Sequence, residues 1–473
     1  MGARGVSDLA TLTAVEQAQL IRDRRASPVE IVQAVLDRIA AWEPRINAFV
    51  ALDAERALNA ARAAEIMVMA GVPLGPLHGV PVTIKDVQAV EGLPTRRGSR
   101  LSSDALATAD APLVARLRGA GGIILGKTCS TEQGWTAVSS GPLTGHTHNP
   151  WVHGRTAGGS SSGAAALAGS GCGALHLGTD GAGSIRLPAH FCGAVGHKPT
   201  FGLVPYAPVP NNNSVSHAGP ITRSVGDAAL MLEVMSGLHP ADHTTLPMKF
   251  HAADVWSPDL KGMKIAYSPD LGHARVDPEI AEAVRAALPA LEAAGAVIEE
   301  VTPPWGPKGP ELERLIWAAA MYGFVETDPD RRAQMDPGLV ACLDDFANFT
   351  LKEAIAAQAR RIAYAAEVNT WFADGGWDAL ITPSASVAAF EVGRQRPAHW
   401  PQHPWDWLVW AEFSYPFDLA HGPAVSVPCG RTAEGLPIGL QIAGNRCEDA
   451  KMLRIAEAFL RAKPFRPAHA VAS

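Results

Sequence analysis

Apolar residues recur along this chain with two different periods. Over residues 8–70 they keep helical spacing, with Ile31, Val35, Leu36 and Ile39 on one stripe. Ser27-Pro28-Val29-Glu30 starts a helix there: Ser as cap, Pro at the first helical position, Glu three residues after the cap. Residues 51–70 are Ala-rich and helix-prone. From Leu77 onward short apolar runs alternate with helical pieces. The pattern predicts strands over 82–84 and 123–125 and a helix over 112–117. A helix over 224–235 follows, with Ser224 as its cap. Further strands are expected over 263–267, 297–301, 379–383, 425–427 and 438–442. Further helices are expected over 278–294, 311–327, 350–372 and 449–460. This alternation predicts an α/β protein with a large mixed or parallel sheet flanked by helices. No internal repeat and no flexible linker interrupts it, so a single domain over 1–473 is expected. Its parts are a helical segment (8–70), a core (77–230), a peripheral segment (239–372) and a return to the sheet (378–462).

Composition narrows the function classes. The chain is 47% hydrophobic and 18% charged, enough apolar material for a large core and too little charge for disorder. Its net charge is −7 and no dense Lys/Arg run occurs, which argues against nucleic acid and anionic membranes as partners. No stretch approaches the roughly 20 apolar residues of a membrane span. Six scattered cysteines without a CxxC pair read as reduced thiols, and the first residues lack an apolar signal core. A cytoplasmic location is the resulting expectation.

Candidate chemistry concentrates in residues 154–202. Two Gly/Ser clusters stand there, Gly158-Gly159-Ser160-Ser161-Ser162-Gly163 and Asp180-Gly181-Ala182-Gly183-Ser184. Glycine-rich backbone beside a serine can aim N–H groups at developing negative charge next to a nucleophile. Such a serine needs a base, and Lys85 ends the apolar strand over 82–84. Burial there would lower its pKa and leave a neutral amine. Asp180 and Arg186 flank the second cluster and can pair across it.

Three other patterns lead elsewhere. Residues 121–128 match GxxxxGK[ST], but a phosphate loop follows a strand, and here Ile123-Ile124-Leu125 is itself the strand. Residues 159–163 match GxSxG with Ser161 at its centre, but no hydrophobic strand precedes them. His146, His148 and His153 lack neighbouring carboxylates, so they read as loop or pocket residues and no metal site is expected.

Lys85, Ser160 and Ser184, set in GVPVTIKD, GGSSSG and GTDGAGSIRLPAHFCGAVGHKPT, resemble the signature of the amidase signature family. The resemblance extends through KTCSTEQGWTAVSSGPLTGHTHNPW to PAVSVPCG and GLPIGLQIAG, nearly the whole chain. It implies a mixed sheet with helices on both sides and a Ser–cisSer–Lys triad. Ser184 would be the nucleophile, Ser160 the bridging serine and Lys85 the base. The backbone N–H groups of Gly181, Ala182, Gly183 and Ser184 would hold the oxyanion. Ser161, Thr179, Asp180 and Arg186 would support the loop. The family usually shows two glycines before the nucleophile, where this chain has Ala182-Gly183. The implied reaction is hydrolysis of a small-molecule amide, extending to anilides, esters or carbamates, without metal or organic cofactor. The resemblance also brings Trp135, Ser139 and Ser140 toward the substrate pocket. The loop over 206–216 and the Trp-rich segment over 400–410 could border it, the latter equally serving as core or dimer contact. A glutamine amidotransferase component working with partners is the alternative within the family, and a non-catalytic binding protein the alternative outside enzymes. The sequence leaves the oligomeric state open, a homodimer among the states it allows.

Overall fold

The structure, a computed structural model, describes residues 9–466 apart from 209, 211–213 and 258. One 11-stranded sheet draws strands from most of the chain. They are β1 (Phe49–Leu52), β2 (Pro81–Lys85), β3 (Ile123–Thr128), β4 (Leu175–Asp180), β5 (Val195–Lys198) and β6 (His217–Thr222). Then come β7 (Lys264–Tyr267), β8 (Val297–Glu300), β9 (Ala379–Pro383), β10 (Ala424–Arg431) and β11 (Pro437–Ala443). Their order across the sheet is β1-β3-β2-β4-β6-β5-β10-β11-β9-β7-β8. β2 runs parallel to both β3 and β4, while β6, β5, β10 and β11 pair antiparallel. The sheet is mixed, as the resemblance implies and as one of the two arrangements that the alternation of elements allows.

Strand residues alternate between the two faces, and the core divides accordingly. Val82, Ile84, Leu175, Leu177, Val425, Val427, Leu440 and Ile442 share one continuous core with the helices Pro112–Gly119, Val225–Met235 and Asp449–Ala462. The opposite face is covered in two parts. An Ala-rich layer, built by Pro28–Ile46, Ala54–Ala70 and Ser162–Ser170, covers the first half. A Trp-rich layer containing Trp135, Trp305, Trp317, Trp405, Trp407 and Trp410 covers the second. The segment over 400–410 is therefore core. Its indole N–H groups are anchored, Trp407 Nε1 on the Trp135 carbonyl at 3.0 Å and Trp410 Nε1 on Gln395 O at 2.8 Å.

Most expected elements form, with instructive departures. Ser27 and Ser224 cap their helices as expected, accepting from Val29 N and Asp227 N. β1 interrupts the helical stretch over 8–70, because a four-residue apolar run has no period of its own. The helix expected over 278–294 divides into Pro278–Arg285 and Leu288–Ala293. Pro289 lacks an N–H and its ring would meet the Arg285 carbonyl one turn back. The helix expected to reach 327 stops at Met321.

Candidate active site

Lys85 is the last residue of β2 and is fully buried. Its strand neighbours Val82 and Ile84 point into one core. Its ammonium nitrogen finds two hydroxyls and no carboxylate. Lys85 Nζ donates to Ser160 Oγ at 2.6 Å and to Thr179 Oγ1 at 2.9 Å. Burial pulls the Lys85 pKa down to about 7, with Asp180 pulling weakly the other way. Near neutrality a large share of this lysine is an uncharged amine, the form that can take a proton.

Ser160 stands just before the helix Ser162–Ser170, and the Gly159–Ser160 peptide bond is cis. Ser161 braces the turn. Its Oγ donates to Thr179 O and accepts from Thr179 N, both at 3.2 Å, and its N–H donates to Ser184 O at 3.3 Å. Both Gly/Ser clusters are thereby tied to the end of β4. Ser161 is buried in this bracing role, so the GxSxG match does not form a nucleophile elbow.

Ser184 lies in the turn between β4 and the helix Arg186–Cys192. The Asp180 carboxylate organises that turn. It accepts from Gly183 N at 2.6 Å and Ile185 N at 3.1 Å, and from Arg186 Nε and Nη2 at 3.0 Å each. Arg186 continues to Ser414 O at 2.7 Å, Gln441 Oε1 at 2.9 Å and Asp418 Oδ2 at 2.5 Å. All three charges are buried. Burial alone would raise the Asp180 carboxyl, but the Arg186 guanidinium outweighs it and holds Asp180 well below the usual carboxylate range. Asp418 is pushed the opposite way, upward, by burial, with Asp180 adding to the push. One guanidinium neutralises only one of two buried acids, and Asp180, with its fork of two bonds and its backbone donors, keeps the charge.

This turn corrects one expectation. The Gly183 N–H is engaged by Asp180 and does not face an incoming oxyanion. Gly183 has φ +113 and its missing side chain would strike Ser414, so its role here is conformational. The N–H groups of Gly181, Ala182 and Ser184 make no hydrogen bond among the described residues.

Lys85, Ser160, Thr179, Asp180, Gly181 and Ser184 line one cavity with Arg97, Gln133, Gly134, Tyr206, Ser216 and Trp317. Its innermost free space is about 30 Å³, room for a reacting group rather than a whole substrate. A larger groove of about 740 Å³ lies elsewhere, lined by Arg116 and Lys249, and Arg116 is engaged by the carbonyls of residues 235–238.

The three pocket residues expected from the resemblance do not line this cavity. Trp135 packs in the Trp-rich core, where its ring meets Gly338. Ser139 Oγ donates to Thr147 O at 2.5 Å and holds the loop together. Ser140 belongs to a two-strand hairpin and bonds His146 Nδ1 at 2.8 Å. Ser139 also accepts from Ala157 N at 3.0 Å, so it braces the segment that leads to Ser160. The loop over 206–216 does reach the cavity, through Tyr206 and Ser216, while 209 and 211–213 lie outside the described residues. Arg97, Gln133 and Trp317 escape sequence reasoning, since nothing in their spacing links them to Lys85. The P-loop match is strand β3, whose Lys127 pairs with buried Asp86 at 2.9 Å. His148 stacks on His153, and no cluster able to hold a metal ion occurs among the described residues.

The sheet, its chain path and this site have counterparts among known proteins. The amidase family profile matches residues 30–453. An acylamidase of Rhodococcus erythropolis is 39% identical over 464 residues, 96% of each chain. A glutamyl-tRNA(Gln) amidotransferase chain of Salinispora arenicola is 34% identical, covering 98% of this chain and 99% of that one. Among solved structures, a bacterial aryl acylamidase of the amidase signature family superposes with a TM-score of 0.90 at 28% identity, covering 98% of this chain and 99% of that one. A 6-aminohexanoate cyclic dimer hydrolase, solved with its substrate, superposes with a TM-score of 0.87 at 28% identity, covering 97% and 99%.

Proposed function

The chain belongs to the amidase family, and from that premise we propose that Ser184 is the nucleophile of an amide hydrolase driven by Lys85 through Ser160. The observation that carries this reading is the 2.6 Å bond from buried Lys85 to Ser160 in the cavity that Ser184 also lines. Neutral Lys85 takes the Ser160 proton as Ser160 takes the proton of Ser184. Ser184 Oγ then attacks the amide carbon, and the carbonyl π electrons move onto oxygen. The N–H groups of Gly181, Ala182 and Ser184 receive that oxyanion, each worth about 10²–10³ in turnover. The tetrahedral adduct collapses as the C–N bond breaks, and the proton held by Lys85 returns through Ser160 to the leaving nitrogen. Water then attacks the acyl-Ser184 ester, its proton following the same path to Lys85. Release of the carboxylic acid returns that proton to Ser184. Asp180 and Arg186 do no chemistry in this scheme; they hold the turn that presents Ser184.

The acylamidase similarity favours amides and anilides of small acyl groups as substrates. The same attack opens esters and carbamates. The amidotransferase similarity favours a second reading, in which glutamine is the amide and ammonia passes to a partner. Fluorophosphonate labelling followed by peptide mass spectrometry tests the nucleophile. An adduct on Ser184 that vanishes in Lys85→Ala is expected. An adduct on Ser161, or one indifferent to Lys85, overturns the assignment. Turnover of an anilide panel without glutaminase activity or co-purifying partner chains separates the two readings.

A further inference from the structure

The cavity carries a cation that this chemistry does not use. Arg97 lines it beside Ser184, Ser160, Tyr206 and Trp317. Its N–H donates to Asp86 O at 3.0 Å, so it hangs from the residue after Lys85. Its carbonyl accepts from Gln133 N at 2.7 Å. Arg97 and Gln133 both sit in the left-handed region, at φ 53 and φ 52. For non-glycine residues such backbone is unfavourable and persists where its surroundings enforce it. Gly134 continues the wall so closely that an added Cβ would meet Ser160 Oγ at 3.3 Å. The backbone that carries this cation is thus held in the wall of the reaction cavity.

Three acids near it in the chain or the cavity, Asp86, Asp180 and Glu132, each have a partner, although Asp86 Oδ2 has none among the described residues. Asp86 pairs with Lys127 at 2.9 Å. Asp180 pairs with Arg186 at 3.0 Å. Glu132 accepts from Ser99 Oγ and from Asp336 N, both at 2.6 Å. The Arg97 guanidinium itself makes no hydrogen bond or ion pair among the described residues. Its field is felt in the site: it acts on Tyr206, whose hydroxyl burial pushes up and Arg97 pulls down. The planar guanidinium fork matches a carboxylate in two-pronged fashion.

We propose that Arg97 binds a carboxylate carried by the substrate, so that this enzyme prefers amides bearing an acid group over their neutral counterparts. The inference rests on the Ser184–Ser160–Lys85 reading of the cavity. Two matched pairs test it: succinanilic acid against pentananilide, with the charge on the acyl side, and 4-carboxyacetanilide against 4-methylacetanilide, with the charge on the leaving side. In at least one pair the acid is the better substrate by kcat/KM. Arg97→Asn, whose side chain tolerates left-handed backbone, lowers that preference on the order of 10- to 100-fold. The change falls mainly in KM, and Arg97→Lys recovers part of it. The preference also shrinks as salt rises. A preference equal in wild type, Arg97→Asn and Arg97→Lys overturns the proposal, as does the absence of any preference in both pairs. Turnover of the neutral anilides reports separately on the hydrolase reading, so failure of one is distinguishable from failure of the other.

Discussion

Three buried lysines show how partners decide what a charge is for. Lys127 has a carboxylate, Asp86, at 2.9 Å. Lys198 lies against carbonyls, including Pro199 O at 3.3 Å. Lys85 has only the hydroxyls of Ser160 and Thr179. Nothing at bonding distance neutralises its ammonium form, so burial lowers its pKa to about 7. Two outcomes follow. The acid limb of the kcat/KM profile for an anilide should turn near pH 7, rising with pH as Lys85 loses its proton, and Lys85→Met should lose about 10²–10⁴ in rate or more. Stability should carry the mark of the same proton. Between pH 7 and about 10.4 the unfolded chain holds a proton on Lys85 that the folded chain has released, so unfolding free energy rises with pH by at most about 1.4 kcal/mol per pH unit. Lys85→Met removes that slope and is the more stable protein at pH 7.5, measured as urea midpoints at pH 7.5 and 9.5. Lys85, Ser160 and Ser184 were legible because each sits in a long motif with its neighbours in sequence. Arg97, Gln133 and Trp317 were not, because their place at the cavity comes from backbone turns and from a helix over a hundred residues away. Trp135, Ser139 and Ser140 lie near the motif yet do not line the cavity, because Trp135 is taken up by the Trp-rich core, Ser139 by the 147 and 157 backbone and Ser140 by His146.

Among the elements, the helix Ser162–Ser170 carries the first Gly/Ser cluster into place. All nine of its residues are buried, so it has no polar face and no periodic stripe to read in the sequence. Its second residue, Gly163, is jammed against the start of the chain's sheet. An added Cβ would lie 2.1 Å from Ala48 O and 2.7 Å from Cys129 N. Gly163→Ala should destabilise the fold by about 1–3 kcal/mol, seen as a lower Tm, and should cost activity as the turn holding Ser160 shifts. A variant of unchanged Tm and turnover would show that this junction gives way freely. Strands β4, β5 and β6 were equally hard to foresee. They contain Gly178, Gly196, Gly219, His176, His197 and His217, and are buried across their length, so neither alternation nor a clean apolar run marks them. By contrast β2, β3 and β9 are apolar runs bounded by turn residues, and the spacing found them.

At the scale of the whole molecule, acids whose pKa burial raises tilt stability with pH. Glu313, on the helix Gly309–Met321, is fully buried and neither of its carboxyl oxygens has a hydrogen-bond partner. Burial, then Asp418 and Asp180, raise its pKa well above the ordinary value. Asp227 is raised to about 6 and Glu412 to about 8, both chiefly by burial. On these acids the folded state keeps protons that the unfolded state loses above about pH 4.5, so their contribution to unfolding free energy falls as pH rises from there toward 8, while buried neutral histidines such as His176, His190 and His421, lowered by burial to about 3, 4 and 3, act the opposite way below pH 6.5. Glu313→Gln, which mimics the protonated form, should gain stability over wild type at pH 8 and little at pH 5, by urea midpoints. An equal difference at both values would mean that Glu313 does not titrate in this range. Composition foretold the large core, alternation of elements a mixed or parallel sheet, and the resemblance the mixed one. What joins the sheet's two halves was harder to see. Arg186 reaches across them, from Asp180 on β4 to Ser414, Asp418 and Gln441. That span sets a timetable for synthesis. A ribosome makes every side chain proposed to react by residue 184, well before it makes Ser414, Asp418 and Gln441, which anchor Arg186. Through the larger part of its translation the growing chain carries a complete set of reacting groups without the clamp that aims them. That clamp closes only once residue 441 has been added and folded against Arg186.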